Sequence, residues 1–313
     1  MLINHLEANK KPPKNIKEAL FGNEKENWKN SCLDEINSMI ENEVYEVIDN
    51  PHNNVKVVDC RWVFAYKYDE NGNIIKYKAR LVAKGFTQIE GIDYFLTYAP
   101  TLKVDTFRIM IKLESINKWN IYQLDINCAY LNGKLKEDIY MKIPYFGEGY
   151  KEPNKIWKLK RSIYGLKQSA KVWNDEITKT ICNMGLKQSN LDPCVFFYFI
   201  DDILNGVVMI YVDDILIIGE NSFIKIVKNE FFNKYKCKDI GFAKYILGVE
   251  IIKNDLGNYS LSQKAYIEKM LDRYLDVYSQ NNNKIGSPGT IYNKDEVDGE
   301  DVNPLYIDQL LEL

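Results

Sequence analysis

The run Met209–Gly219, "MIYVDDILIIG", decides how this chain is read. Nine of its eleven residues suit a buried β-strand, and its centre is the pair Asp213-Asp214. Gly206–Val212 and Ile215–Ile218 are apolar on either side, so the pattern predicts a β-hairpin whose turn carries two adjacent carboxylates. Aspartate is common at turns, and without those flanks the pair would be read as a turn only. Two carboxylates about 5 Å apart repel by about 3 kcal/mol at an effective dielectric near 20. A divalent cation reverses the sign of that term, and magnesium characteristically takes one or two carboxylates together with substrate phosphates. Upstream, "WNIYQLDINCAYLNG" (Trp119–Gly133) reads as a strand running into a turn or helix start, with Asp125 at the strand's end as a candidate third carboxylate. Three such groups on neighbouring strands predict a two-metal site for in-line phosphoryl transfer.

Composition agrees with that chemistry. The 313 residues can build a sizeable core, and 46% hydrophobic with 27% charged residues is ordinary for a globular protein. The net charge of −3 argues against a chain that coats nucleic acid, without excluding local basic faces. The only histidines, His5 and His52, sit in no motif, which disfavours Ser-His or Cys-His mechanisms. The six cysteines form no C-x-x-C pair, so neither a zinc ribbon nor a redox motif is expected, and scattered thiols fit a reducing compartment. The N-terminus lacks a signal-peptide core, and Val195–Gly219 is cut by two Asp-Asp pairs, so no membrane span is expected.

Other elements follow from periodicity. Residues 1–17 read as a loose basic lead-in with Pro12-Pro13. Residues 24–42 read as an amphipathic helix with Trp28, Cys32, Ile36, Met39 and Ile40 inward and Asp34, Glu35 and Asn37 elsewhere. "RWVFAYKY" and "IIKYKARLVAK" flank "DENGN" (69–73), a strong hairpin signal. Alternation along its second strand puts Lys76, Lys78, Arg80 and Lys84 on one face, and Ile75, Tyr77, Ala79, Leu81 and Ala83 on the other. A basic face of this kind can hold a triphosphate or can simply be solvated. Helices are expected over 105–118, 169–184, 222–238 and 262–277. "AKYILGVEIIKN" (243–254) reads as one strand, with "GNYSLS" (257–262) as its return. Lys158, Lys160, Arg161 and Lys167 form a second basic cluster, and the tail from Ser279 is expected to be poorly ordered.

Several blocks now stand in one order: "WKNSCLDEI", "CRWVFAYK", "GNIIKYKARLVAKGFTQIEGIDYFLTYAPTLK", "QLDINCAYLNG", "EDIYMKIP", "SIYGLKQS", "SNLDPCVF", "YVDD" and "KYILGVEI". From about Asn15 to Pro288 they resemble the reverse transcriptases of Ty1/copia-type retrotransposons. The resemblance implies an α+β fold of the right-hand polymerase type: mainly fingers over 18–120, mainly palm over 121–255, and a partial thumb with a connection over 256–313. It implies an RNA-directed DNA polymerase using two Mg²⁺ ions, with Mn²⁺ as a substitute, an RNA template, a DNA or RNA primer and dNTPs. Asp125, Asp213 and Asp214 would be the catalytic carboxylates, with the Ile126 carbonyl beside Asp125 at the metals. Lys78, Arg80, Tyr130 and Gln168 would bind nucleotide, Tyr130 by excluding a ribose 2′-hydroxyl. Leu247-Gly248 would lie in the primer grip. Where relatives have Pro-Arg after the residue following Gln168, this chain has Ala170-Lys171, and where they have Trp near residue 45 it has Tyr45. Ribonuclease H, integrase and protease segments are not visible, "NPLYIDQLLEL" (303–313) resembles the start of a connection, and the rest of a Pol polyprotein is an expected partner. The expected location is cytoplasmic particles or the nucleus. Two alternatives stay open: a relic that binds nucleic acid without synthesis, and another two-metal enzyme such as a nuclease.

Overall fold

A computed structural model describes residues 10–51, 55–69, 72–146, 154–254, 259–268 and 270–271. The chain forms two compact units, one from residues up to Met110 together with Asn120–Gly241, the other from Ile111–Trp119 together with Phe242 onward. The α+β character expected from sequence is present in the element content.

In the first unit the central sheet has six strands in the order Cys237–Phe242, Asn120–Ile126, Asp214–Gly219, Ile203–Tyr211, Val195–Ile200, Lys187–Gln188. The opening stretch is its middle: Ile203–Tyr211 and Asp214–Gly219 pair antiparallel, and the latter pairs antiparallel with Asn120–Ile126. Val207–Ile210 and Ile215–Ile218 are buried on both faces, which explains a near-continuous apolar run instead of alternation. The helix Asn221–Lys234 lays Phe223, Ile224, Val227 and Phe231 inward. Gly206 and Gly219 are register partners, and a Cβ on them would come within 2.3 and 2.6 Å of the Phe223 ring. Those two glycines let the ring lie on the sheet, where Tyr198 stacks on it at 5.2 Å. The helix Ser169–Asn183 buries Trp173, Ile177 and Ile181 as its spacing predicts.

The same unit holds a four-stranded sheet in the order Tyr45–Asp49, Lys155–Arg161, Lys134–Lys142, Val57–Val58, and a separate hairpin of Cys60–Tyr68 with Ile74–Ala83. Its turn has Gly72 at φ +82°, with Gly72 N–H donating to the Asp69 carbonyl at 3.1 Å. The helix Lys25–Glu41 packs on this hairpin through Trp28, whose ring lies 5.2, 5.1 and 4.9 Å from Phe64, Tyr66 and Tyr77.

In the second unit, Tyr245–Ile246 and Val249–Lys253 form a tight hairpin and Tyr259–Ser262 returns beside it. The sequence pattern runs one strand through 247–248. Here Leu247 and Gly248 both have positive φ, 53° and 77°, so they form a two-residue turn of the kind that matches strand twist.

Other expectations need correction. A short helix, Ile16–Phe21, begins inside the supposed lead-in. Asn15 Oδ1 caps it by accepting from Glu18 N–H, and the Asn-x-x-Glu spacing was the available signal. Ile40 and Ile75 point to solvent, whereas Glu35 is buried because Leu81 N–H donates to it. The helix expected over 222–238 ends at Lys234, because a strand starts at Cys237. Lys158 and Lys160 pair with Asp138 and Glu46, and Arg161 donates to the Asn132 carbonyl, so those three members of the second basic cluster are spent within the fold. Residues 264–268 are helical, while the rest of the expected C-terminal helix past Leu271, the tail and the 303–313 segment lie outside the described residues.

The helix Val104–Asn117 carries one unexpected group. Glu114 is fully buried, its Oε1 has no partner among the described residues, and burial pushes its carboxyl up to about 7 against some help from Lys253 and Ser115. The native state then binds the proton more tightly than the unfolded state, so the Glu114 contribution is present at low pH and lost as pH rises towards about 7. Glu114→Gln is expected to match wild type in urea denaturation at the acid end of that window and to be the more stable protein above it. Equal stability at both ends would contradict a buried carboxyl with one unpartnered oxygen.

Candidate active site

The register of the central hairpin pairs Tyr211 with Asp214. Val212 and Asp213 are therefore the two loop residues, and Asp214 opens the return strand instead of sharing the turn as the sequence suggested. Val212 takes φ +56°, a left-handed conformation that costs an L-residue about 1–2 kcal/mol. Two hydrogen bonds hold it there. Trp173 Nε1 donates to the Val212 carbonyl at 2.6 Å, and Ile126 N–H donates to the Asp213 carbonyl at 2.8 Å. The Asp125 backbone lies in register with Asp214 on the neighbouring strand.

Asp125, Ile126 and Asp213 line one cleft of about 510 Å³. The hairpin supplies Lys67, Lys76, Lys78 and Arg80 to it, Lys236 and Lys238 come from the chain beside Asp125, and Asp34 and Glu35 come from the helix Lys25–Glu41. Burial first, then the Asp213 charge, raise the Asp125 carboxyl, with Lys238, Lys78 and Lys67 pulling it back. Asp214 is raised mainly by burial, and by Asp213 and Asp125; Gln123 Nε2 donates to its Oδ1 at 2.8 Å, which offsets part of the shift. It does not line the cleft.

Tyr130 and Arg80 meet through a residue the sequence reading did not single out. The Arg80 guanidinium sits 4.6 Å from the Tyr164 ring, and Tyr130 meets the same ring edge-on at 5.0 Å. Burial and then Asp213 raise the Tyr130 hydroxyl, so that ring stands within reach of the carboxylate's field. Tyr164 is placed by its neighbour Gly165: φ is +91°, and a Cβ there would fall 2.2 Å from the Ala83 carbonyl oxygen. Ala83 N–H donates to the Tyr164 carbonyl at 2.8 Å, so the "SIYGLKQS" segment is stitched to the end of the basic strand. The motif itself, with its mid-loop Tyr-Gly, was the signal for Tyr164.

The remaining candidates are elsewhere. Gln168 is buried, accepts from Gln88 Nε2 at 3.1 Å and donates to the Asp93 carbonyl at 2.8 Å, so it ties segments together outside the cleft. Lys84 lies beyond the end of the strand, where it pairs with Asp59 at 2.6 Å and leaves the basic row. Leu247 and Gly248 form their turn in the second unit. Lys67 and Lys238 join the cleft without having been singled out, because pairing across strands brings them there.

Among the described residues no three His, Cys, Asp or Glu side chains gather closely enough to hold a metal ion, so Asp125, Asp213 and Asp214 do not converge as one ligand group as the sequence pattern predicts. Two carboxylates on the wall of an open cleft are the donor set expected for magnesium that keeps waters and takes substrate oxygens. The residues fit such an ion: hard oxygen donors, a carboxyl raised by burial and then by its neighbour's charge, and cations in the same cleft for a polyanion.

A model of the family described as reverse transcriptase (RNA-dependent DNA polymerase) matches residues 42–288. The chain belongs to that family. The reverse transcriptase segment is 35% identical over 253 residues to a retrovirus-related Pol polyprotein from transposon RE1 of Arabidopsis thaliana, covering 79% of this chain and 17% of that protein. It is 33% identical over 264 residues to the corresponding polyprotein from transposon TNT 1-94 of Nicotiana tabacum, covering 84% and 20%. A Ty1-GR3 Gag-Pol polyprotein of Saccharomyces cerevisiae is 28% identical over 250 residues, covering 75% and 13%. The Ty1/copia resemblance is thus matched by the relatives, and the chain spans a fifth or less of their length. No helix among the described residues is long and apolar enough to cross a membrane.

Trp173→Phe removes the indole donor and leaves the Val212 carbonyl without it. Stability in urea is expected to fall by about 1–3 kcal/mol, and an unchanged midpoint would show that the turn does not need this bond. Asp125→Asn removes one partner of the repulsive pair. In EDTA it is expected to melt a few degrees above wild type, most clearly at pH values above the ordinary carboxylate range, because the raised Asp125 lowers native stability once ionised. Added Mg²⁺ is expected to raise the wild-type Tm and to have little effect on the variant.

Proposed function

We propose that this reverse transcriptase-family chain is an RNA-directed DNA polymerase. In the reaction a primer 3′-hydroxyl attacks the α-phosphorus of a dNTP, a phosphodiester bond forms and pyrophosphate leaves. The observation carrying the reading is that Asp125 and Asp213 share one cleft with Lys67, Lys76, Lys78 and Arg80. Acidic and basic walls of this kind suit a metal-bound triphosphate between them, and transfer of this type runs on positioning and charge stabilisation, not on a histidine.

Asp125, Asp213 and the Ile126 carbonyl would hold two Mg²⁺ ions, with Mn²⁺ as a substitute, and Asp214 would support them through the Gln123-bonded strand end. When bound, the ions would supply Lewis acidity for the attacking hydroxyl and for the leaving phosphates. Lys78 and Arg80 would hold the triphosphate, Arg80 in a plane set by Tyr164. Tyr130, against the other edge of Tyr164, would close the space a ribose 2′-hydroxyl needs. The hairpin with the helix Lys25–Glu41 would be the fingers, and the six-stranded sheet the palm. Leu247-Gly248 would touch the primer. RNA template and primer would be read mainly through backbone and hybrid shape. Gln168 would act by fixing the segments around it.

Purified protein with oligo(dT)-primed poly(rA) and Mg²⁺ is expected to incorporate dTTP. Asp213→Asn is expected to lower the rate about a thousandfold, equivalent to about 4 kcal/mol of lost charge stabilisation. Arg80→Ala is expected to raise KM for dTTP. Incorporation that survives Asp213→Asn would remove the site assignment; a wild type that binds primer–template in a salt-dependent way without turnover would replace polymerase with nucleic-acid binding.

A further inference from the structure

The basic strand has a bare edge that a helix covers with side chains. Cys60–Tyr68 pairs with one edge of Ile74–Ala83, placing Arg80 opposite Val63 and Lys78 opposite Ala65. A two-stranded hairpin would ordinarily leave the other edge open and marginally stable. Here Ser31 Oγ donates to the Tyr77 carbonyl at 3.1 Å and accepts from Ala79 N–H at 2.7 Å. Leu81 N–H donates to Glu35 Oε1 at 3.2 Å, and Ala83 N–H is taken by the Tyr164 carbonyl.

The spacing has a physical reason. One helical turn from Ser31 to Glu35 rises about 6 Å. Two strand residues from Ala79 to Leu81 span about 6.8 Å. The two repeats nearly match, so side chains four apart on the helix can meet alternate amides on the strand. Both polar residues are almost fully buried, and both line the cleft that holds Lys78, Arg80, Asp125 and Asp213. Burial raises the Glu35 carboxyl, while Leu81 N–H, Arg80 and Lys78 draw it down, so it is coupled to the same cations.

We propose that Ser31 and Glu35 are positioning residues for the incoming triphosphate: by bonding the outer edge of the strand at Tyr77, Ala79 and Leu81, they hold Lys78 and Arg80 in register over the carboxylate wall. This rests on the polymerase reading of the cleft. Neither residue need touch nucleotide. Each amide they bind alternates with a cationic residue, so a slip or twist at that edge moves both cationic side chains together.

The test uses the full chain on a dideoxy-terminated primer–template, where dTTP with Mg²⁺ binds without turnover. Ser31→Ala, which removes two hydrogen bonds to the strand edge, and Glu35→Ala, which removes one, are each expected to weaken dTTP binding about five- to tenfold, with primer–template affinity unchanged. Glu35→Gln keeps an acceptor for Leu81 N–H and is expected to restore dTTP binding to within about twofold of wild type. A purely structural role would lower Tm without this selective loss and without rescue. If Glu35→Ala fails to fold, Ser31→Ala, which deletes one hydroxyl, carries the test. Wild-type dTTP affinity in Ser31→Ala and in any folded Glu35→Ala, with Arg80→Ala impaired, would overturn the positioning role and leave the polymerase reading intact. The expected pattern in a protein that never extends an unblocked primer would do the reverse.

Discussion

Two hydrogen bonds, Trp173 Nε1 to the Val212 carbonyl and Ile126 N–H to the Asp213 carbonyl, hold a strained turn at the end of the central hairpin. The turn cannot be relaxed without moving Asp213, and Asp213 is the group whose charge disturbs Asp125, Asp214 and Tyr130. Left-handed backbone at a β-branched residue persists only where its surroundings over-determine it. The surroundings do so from two sides, a neighbouring strand and a packed helix. The buried strand Asn120–Ile126 carries one of those donors and the buried face of the helix Ser169–Asn183 carries the other.

Around that turn the charges are arranged against their own preference. Asp125 and Asp214 are less willing to ionise than free carboxylates, and the cleft beside Asp125 gathers Lys67, Lys76, Lys78 and Arg80 from the hairpin with Lys238 from the neighbouring strand, while Asp34 and Glu35 line the same cleft. Each half is costly alone. Together they leave a gap that a metal-bound polyanion would neutralise on both sides, which is the electrostatic form of preorganisation. Tyr164 joins the halves, with its ring under Arg80 and its backbone bound to the basic strand.

Much of this is legible in the sequence alone. Apolar flanks mark the Asp213-Asp214 pair as the turn of a buried hairpin, alternation separates Lys78 and Arg80 from Ala79 and Leu81, and the 3.6-residue period places Trp173 on a core-facing helix side. The errors have common causes. Glu35 was placed on an outer face because a carboxylate suits water, yet a strand edge offered it an amide. The alternation also puts Lys84 in the basic row, but the strand ends at Ala83 and the period ends with it. Leu247-Gly248 was read through as strand because one glycine amid β-formers rarely announces a turn. Gln168 is a separate case: its amide is taken up by Gln88 and Asp93, some 75 to 80 residues away in the chain, a tie that no local pattern announces.

The sequence by itself determined the chemistry available: carboxylates at two strand ends, a basic strand, no placed histidine, and an order of blocks shared with one family. Those depend on local pattern, and local pattern survives without coordinates. Only the tertiary structure decided that Asp213 rather than Asp214 occupies the turn, that Tyr164 stands between Arg80 and Tyr130, and that a helix completes the edge of the basic strand. Register, donor–acceptor pairing and burial arise from contacts between residues far apart in the chain, and no window of sequence contains both partners of such a contact.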